Sequence, residues 1–326
     1  MAANSAIPVE LGTEKIGRLL KQYALPAIIA QTASSLYNMV DSIFIGQGVG
    51  PLAISGLAVT FPLMNLSTAF GTLVGAGAAT MLSILLGQKN YKAANKVLGN
   101  VVSLNIIIGL IFMAVALIFI DPILYFFGAS ENTLPYAKEY IQIILYGNII
   151  THLYFGLNAA MRSTGFPKKA MALTIFTVVF NTILDPIFIF VLDMGIAGAA
   201  WATVIAQTVA MLIVMRHFND KRRPFHFEKG IFKLDMRVAK DSLSIGMGPF
   251  LMNAAACLVT LFINQQLRKY SGDLGIGAYG ICNRFIFMFI MICMGLNQGM
   301  QPIAGYNYGE RQYSRVREVL WKTAKL

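Results

Sequence analysis

Charge and reactive side chains are what this sequence has least of. Only 13% of its 326 residues are charged and 15 are acidic, with three histidines, three cysteines and two tryptophans. Cys257, Cys282 and Cys293 lie in apolar runs without metal-ligand spacing and read as packing residues. There is no His-Glu-x-x-His, no Gly-x-Ser-x-Gly, no phosphate loop and no Cys-x-x-Cys, so neither an enzyme site nor a cofactor site is read from motif. Lacking a nucleotide site, any uphill transport would have to draw on an ion gradient.

Apolar residues fill the space that charge leaves. They make up 56% of the chain, with a mean hydropathy of +0.63, beyond an ordinary soluble protein of this size. The reading is an all-α polytopic membrane protein. Eight runs reach the ~20 residues that a crossing needs: 23–46, 54–86, 98–120, 136–161, 170–192, 196–215, 243–267 and 276–303. The polar segment before Tyr23 leads straight into the first of them, which serves as its own insertion signal, and no cleavable signal peptide is read.

A net charge of +11 raises the question of nucleic acid. Its placement answers it. Of the 26 lysines and arginines, 22 fall before the first run or in every second connection, among them Lys229 and Lys233; only Lys138, Arg268 and Lys269 fall on the other side. By the positive-inside rule both ends of the sequence are expected to be cytoplasmic, in a bacterial or archaeal plasma membrane, and no nucleic-acid partner is expected. Arg284 alone lies inside a run, near enough to its outer end to snorkel outward.

Leu11 to Gln22 has Ile16, Leu19 and Leu20 on one face and Lys15, Arg18 and Lys21 on another, which predicts a helix on the cytoplasmic interface that enters the first span near Pro26. The basic stretch 217–240 predicts a cytoplasmic linker between residues 1–216, with six spans, and residues 241–326. The later segment repeats the earlier one. Pro26, Gly56, Gly71 and Gly75 recur as Pro249, Gly280, Gly295 and Gly299, and Gly87-Gln-Lys-Asn-Tyr91 recurs as Gly309-Glu-Arg-Gln-Tyr313. Units of six spans repeat in parallel about an axis along the membrane normal. On that arithmetic the second unit stops as its third helix begins, and four more spans are expected to follow.

Two acids stand in apolar runs: Asp41 in the first span and Asp185 in the fifth. Membrane acids are costly and mark functional sites by default. Asp41, Asp185 and Thr203 fall at similar depth, roughly 10 Å below the outer boundary by helix rise, with Asn181 and Tyr37 each one turn deeper. These five could line one polar chamber, where burial and mutual repulsion oppose ionisation of both acids at once. The chamber could then accept a proton, or cage a small cation between hard oxygen donors; the competing reading is a hydrogen-bonded network that only braces helices. Asn158 could reach a cavity or make an interhelical hydrogen bond. His152 reads as a satisfied interior histidine. Pro26, Pro62, Pro186 and Pro249 permit static or movable kinks.

Several of these residues together resemble the multidrug and toxic compound extrusion (MATE) family. They are Pro26 with Tyr37 and Asp41, Arg162-Ser-Thr-Gly165, Asn181-Thr-Ile-Leu-Asp185-Pro186, Gly195-Ile-Ala-Gly-Ala-Ala-Trp-Ala-Thr203 and Gln301-Pro-Ile-Ala-Gly-Tyr-Asn-Tyr-Gly309. The resemblance implies two six-helix lobes in a V-shaped monomer that exports small amphiphilic, often cationic compounds in exchange for protons or sodium, with lipid as its surroundings. It implies that Asp41, Asn181, Asp185 and Thr203 form the ion site, for a proton or sodium, that Tyr37 and Asn158 face the substrate cavity, and that Pro26 is a hinge. The counterpart of Asp41 is Asn264, so coupling is expected in the first lobe. Other readings are a related flippase for lipid-linked oligosaccharides, which the acidic chamber disfavours, a membrane-embedded acyltransferase or protease, for which no nucleophile or metal set is found, and a fragment without activity.

Overall fold

A computed structural model describes residues 8–228, 230 and 234–326; Lys229 and Lys233 of the basic linker lie outside the described residues. The described residues form helices: α1 (Glu10–Thr13), α2 (Ile16–Gly48), α3 (Pro51–Gly87), α4 (Tyr91–Ile118), α5 (Ile120–Phe126), α6 (Leu134–Tyr146), α7 (Asn148–Ser163), α8 (Pro167–Pro186), α9 (Gly195–Asn219), α10 (Met236–Gly309) and α11 (Tyr313–Ala324). This is the expected all-α membrane architecture. Among the described residues five helices are long and apolar enough to cross a membrane: α3, α4, α8 with the turn after it, α9 and α10. α10 bends back at Gly272, whose φ of 64° and ψ of −160° suit glycine and no helix, so it supplies two arms. α2, of 33 residues, spans roughly 50 Å by helix rise and carries the burden of Asp41. The predicted fourth span is broken at Gly147 into α6 and α7.

Local departures from the sequence reading have local causes. The interfacial helix expected over Leu11–Gln22 is instead divided: the break falls at Glu14 and Lys15, and α2 then runs unbroken through Pro26. Its apolar residues Ile16, Leu19 and Leu20 are buried in a protein core with Leu86, Val97, Tyr306 and Val319, not laid on lipid. The connection expected at Arg268–Asp273 is almost wholly helical, reduced to the bend at Gly272. Beyond Pro186, which has no N–H to give, the chain widens into a π turn (Ile187–Val191), with Leu192 N bonded to Ile187 O at 2.9 Å.

Close helix packing joins the two units. In lipid the hydrophobic effect between helices is lost and small residues that let backbones touch take its place. A Cβ on Gly277 would stand 2.7 Å from Ser55 Oγ, one on Gly280 2.8 Å from Ala58 Cβ, and one on Gly305 2.7 Å from Ser83 Cβ. Each of these pairs is separated by 222 residues, as expected for α3 and the second arm of α10 meeting across the axis of a parallel repeat. Single-file apolar exposure on α4, at Ile107, Leu110, Ile111, Val115 and Ile118, marks its lipid face.

The linker is fastened to the first unit. Asp235 caps α10 and pairs with Lys96 at 3.1 Å, its carbonyl accepts from Asn100 Nδ2 at 2.9 Å, and Phe225 is buried with its ring against Tyr91 of α4. At the opposite end of the helices Ser130 Oγ donates to Asp273 Oδ2 at 2.6 Å, and Gln265 Nε2 to Phe126 O at 3.1 Å.

Candidate functional site: a carboxylate chamber beside a polar cavity

Four of the five expected chamber residues meet in one hydrogen-bonded chain. Asn181 and Asp185 are four apart on α8, so they lie on one face, and Asn181 Nδ2 donates to Asp185 Oδ1 at 2.9 Å. From α9, Thr203 Oγ1 is 3.5 Å from Asn181 Oδ1 and 2.7 Å from Tyr37 Oη on α2. Asp41, one turn beyond Tyr37, is within electrostatic reach of Tyr37 and Asp185. Both carboxylates are buried, and Asp41 Oδ1 and Asp185 Oδ2 have no hydrogen-bond partner among the described residues.

Such orphans matter because a buried, unsatisfied polar atom is costly and rare. Two buried carboxylates within electrostatic reach of each other, with hydroxyl and amide oxygens nearby, are chemically a hard-oxygen donor set of the kind that can take a proton or a small cation. The π turn begins immediately after this pair, where a wide, irregular turn is common at functional sites.

The chamber opens toward a cavity of about 240 Å³ between α2, α3, α6, α7, α8 and α9. Tyr37, Asn181 and Thr203 stand in its wall, as do Leu63, Met64, Phe155 and Val178. Hydroxyl and amide side chains alternate with apolar ones along this wall, a mixture that suits a small molecule with both polar and apolar parts.

Asn158 does not join them. Its Nδ2 donates to Ala170 O at 3.2 Å and its Oδ1 accepts from Arg162 Nη1 at 2.6 Å, so it braces α7 against α8 near the turn that joins them. Of the two readings open for it, the bonds it makes are the interhelical one, and it does not line this cavity. Pro26 is buried within an unbroken α2. Arg284 does not snorkel: it is buried, and its Nη1 reaches inward to Asn38 O at 3.1 Å.

Several wall residues escaped the sequence reading. Tyr140 on α6 is within reach of both acids. Gln207, one turn beyond Thr203, bonds Thr151, and that i+4 spacing was a readable signal. Ser67 Oγ donates to Asn148 Oδ1 at 2.6 Å and lies 3.1 Å from His152 Nε2, so His152 is interior as expected but only half satisfied, its Nδ1 having no partner among the described residues.

The MatE family model matches residues 26–187 and 249–326. Multidrug export protein MepA of Staphylococcus haemolyticus (strain JCSC1435) is 31% identical over 293 residues, 90% of this chain and 65% of that protein. MepA of Staphylococcus aureus (strain MRSA252) is 30% identical over 303 residues, 93% of this chain and 67% of that protein. The chain thus spans about two thirds of the length of these curated relatives. A solved structure of the MATE multidrug transporter DinF-BH, in complex with a dye, superposes with a TM-score of 0.91 at 35% identity, over 96% of this chain and 70% of that one. On the breadth of the family match and on these identities, the chain belongs to the MatE family of multi-pass membrane transporters.

Proposed function

We propose that this chain provides the ion-coupled first lobe, and the start of the second, of a secondary antiporter that exports small amphiphilic, often cationic compounds in exchange for protons or sodium. The observation that carries the reading is the pair of buried carboxylates, each with an unbonded oxygen, of which Asp185 is joined through Asn181, Thr203 and Tyr37 to the wall of a cavity and Asp41 lies one turn beyond Tyr37. The names of the relatives, and the dye complex of DinF-BH, support the substrate class.

Asp41, Asn181, Asp185 and Thr203 hold the coupling ion, and Tyr37 links that site to the substrate cavity. Loading must favour one access state over the other, since a ligand shifts a conformational equilibrium only by its differential affinity. The protein works as a monomer in the cytoplasmic membrane with residues 217–240 inside.

Export driven separately by imposed proton and sodium gradients, in vesicles carrying the protein, tests this. Asp41→Asn and Asp185→Asn each abolish export under whichever gradient drives it, while expression and thermal stability stay near those of the unaltered chain. Asn264→Ala changes export much less. Normal ion-driven export by both aspartate variants would overturn the proposal and leave the acids as braces.

A further inference from the structure

The ends of α8 and α9 away from Asp185 are crowded with positive charge. α8 opens with Pro167, Lys168 and Lys169, α9 closes on Arg216 and His217 before Phe218 and Asn219, and the linker continues with Lys221, Arg222 and Arg223. Among the described residues Asp220 is the one acid in an ion pair with any of these cations.

Three of these groups gather on one ring. Lys169 Nζ lies 5.1 Å and Arg223 Cζ 5.4 Å from the centre of Phe166, and the His217 ring meets it edge-on at 5.0 Å. The fold of the linker puts Arg223 there: Arg223 N bonds Asp220 O at 3.0 Å, and Phe227 N bonds Phe218 O at 2.8 Å. A ring face attracts a cation, but two cations held against one ring repel each other, and a counter-charge offsets that. Asp220 supplies little of it. Its Oδ2 is 3.4 Å from Arg223 Nε, and its Oδ1 already accepts from Arg222 N at 3.1 Å. Arg223 is largely covered, yet its Nε and Nη1 have no hydrogen-bond partner among the described residues.

We propose that this cluster binds the phosphate of an anionic phospholipid, with Lys169 and Arg223 as its ligands and Phe166 as the plate that positions them. A guanidinium presents paired N–H groups to phosphate oxygens, and an ammonium adds a point charge. Location favours a lipid over a free anion. α8 and α9 are long and apolar enough to cross the membrane, so their ends stand at the level of the headgroups, where basic side chains attract anionic lipid. The exposed Lys168, Arg216, Lys221 and Arg222 extend the same field around the cluster. A bound headgroup ties the linker, and with it the join between the two units, to the leaflet on that side.

The chain in detergent is titrated with dioleoyl phosphatidylglycerol, with dioleoyl phosphatidylcholine and with inorganic phosphate, while its melting temperature and the lipid it retains in native mass spectrometry are read. Phosphatidylglycerol is expected to be retained and to raise the melting temperature, and the other two to do neither at the same concentration. Lys169→Gln combined with Arg223→Gln binds phosphatidylglycerol roughly thirtyfold more weakly, at about a factor of five for each basic residue near a membrane surface. Lys21→Gln combined with Lys92→Gln removes the same charge from exposed positions elsewhere in the basic connections, and the affinity stays. Equal losses in the two pairs assign binding to the basic surface at large and overturn the site. An equal response to phosphatidylcholine or to inorganic phosphate overturns the anionic lipid as its occupant. If the Lys169 and Arg223 double variant does not fold, Lys169→Gln alone, at an exposed position, decides the matter: about fivefold weaker binding is expected, and unchanged affinity overturns the site.

Discussion

Gly77 on α3 and Gly246 on α10 hold their helices in backbone contact: a Cβ on Gly77 would collide with Ser242 O, and one on Gly246 with Leu73 O. The same contact recurs one repeat later, where a Cβ on Gly299 would collide with Ala24 Cα; adding 222 carries 77 to 299 and 24 to 246. Here the obstacle is backbone, which cannot swing aside as a side chain can. Gly77→Val or Gly299→Val is therefore expected to cost about 1–3 kcal/mol or more by overpacking. Gly17→Ala, with nothing within 4 Å of its Cβ, should gain about 0.5–1 kcal/mol from helix propensity. Thermal unfolding in detergent compares them, and equal melting of Gly77→Val and Gly17→Ala would contradict the seam.

Topology is tested at Glu131 and Arg222. Both are exposed, whereas Ser130 is partly covered and bonded to Asp273. With Cys257, Cys282 and Cys293 replaced, an impermeant maleimide is expected to label Glu131→Cys in intact cells and Arg222→Cys only after lysis. The reverse pattern would invert the orientation drawn from the basic residues.

Asp235 ties the linker to the first unit in a pH-dependent way. Its hydrogen bond from Lys96, then that from Val238 N, hold its carboxyl below the usual carboxylate range. A carboxyl depressed in the folded state contributes stability above its unfolded value and loses it as pH falls through the folded one. Asp235→Asn keeps a capping oxygen but no charge. Its melting temperature should lie below that of the unaltered chain at neutral pH, and the gap should close in acid, below about pH 4. A gap that stays constant with pH would show that Lys96 contributes nothing through charge.

Arg315 clasps the N-terminal segment from α11. Nη2 donates to Glu14 O at 2.7 Å and Leu11 O at 3.2 Å, and Nε to Asn307 Oδ1 at 2.7 Å. Arg315→Ala is expected to cost about 1.5–3 kcal/mol, as for hydrogen bonds from a charged group, and to speed tryptic cleavage at the exposed Lys15 and Arg18. Arg315→Lys should restore little, because one ammonium cannot match three acceptors that a planar fork spans. Unchanged cleavage in Arg315→Ala would show that burial alone holds α1 in place.

Asp41, Asp185, Asn181, Thr203 and Tyr37 were legible before any coordinates because an acid in an apolar run is conspicuous and helical rise sets depth. Depth is only one coordinate. Which way a side chain points around its helix depends on neighbours far along the chain, and three residues show the consequence. Arg284 lies near enough to the end of its run to snorkel but turns instead to Asn38. Asn158 faces α8 and not the cavity. Tyr140 joins the acids from α6, whose own sequence gives no hint of them.

Composition, the side of each basic cluster and the recurrence of glycines and proline were enough to determine a helical membrane protein built as a parallel repeat, because bilayer thickness and backbone hydrogen bonding act on each segment by itself. Tertiary structure alone decided the rest: that Ile16, Leu19 and Leu20 pack into protein and not lipid, that α3 and α10 touch backbone to backbone, and that Arg284 of the second unit bonds the Asn38 carbonyl of the first. These are rotations and pairings of helices, set by complementary packing between segments up to some 300 residues apart, such as Leu11 with Arg315, and no single segment encodes them.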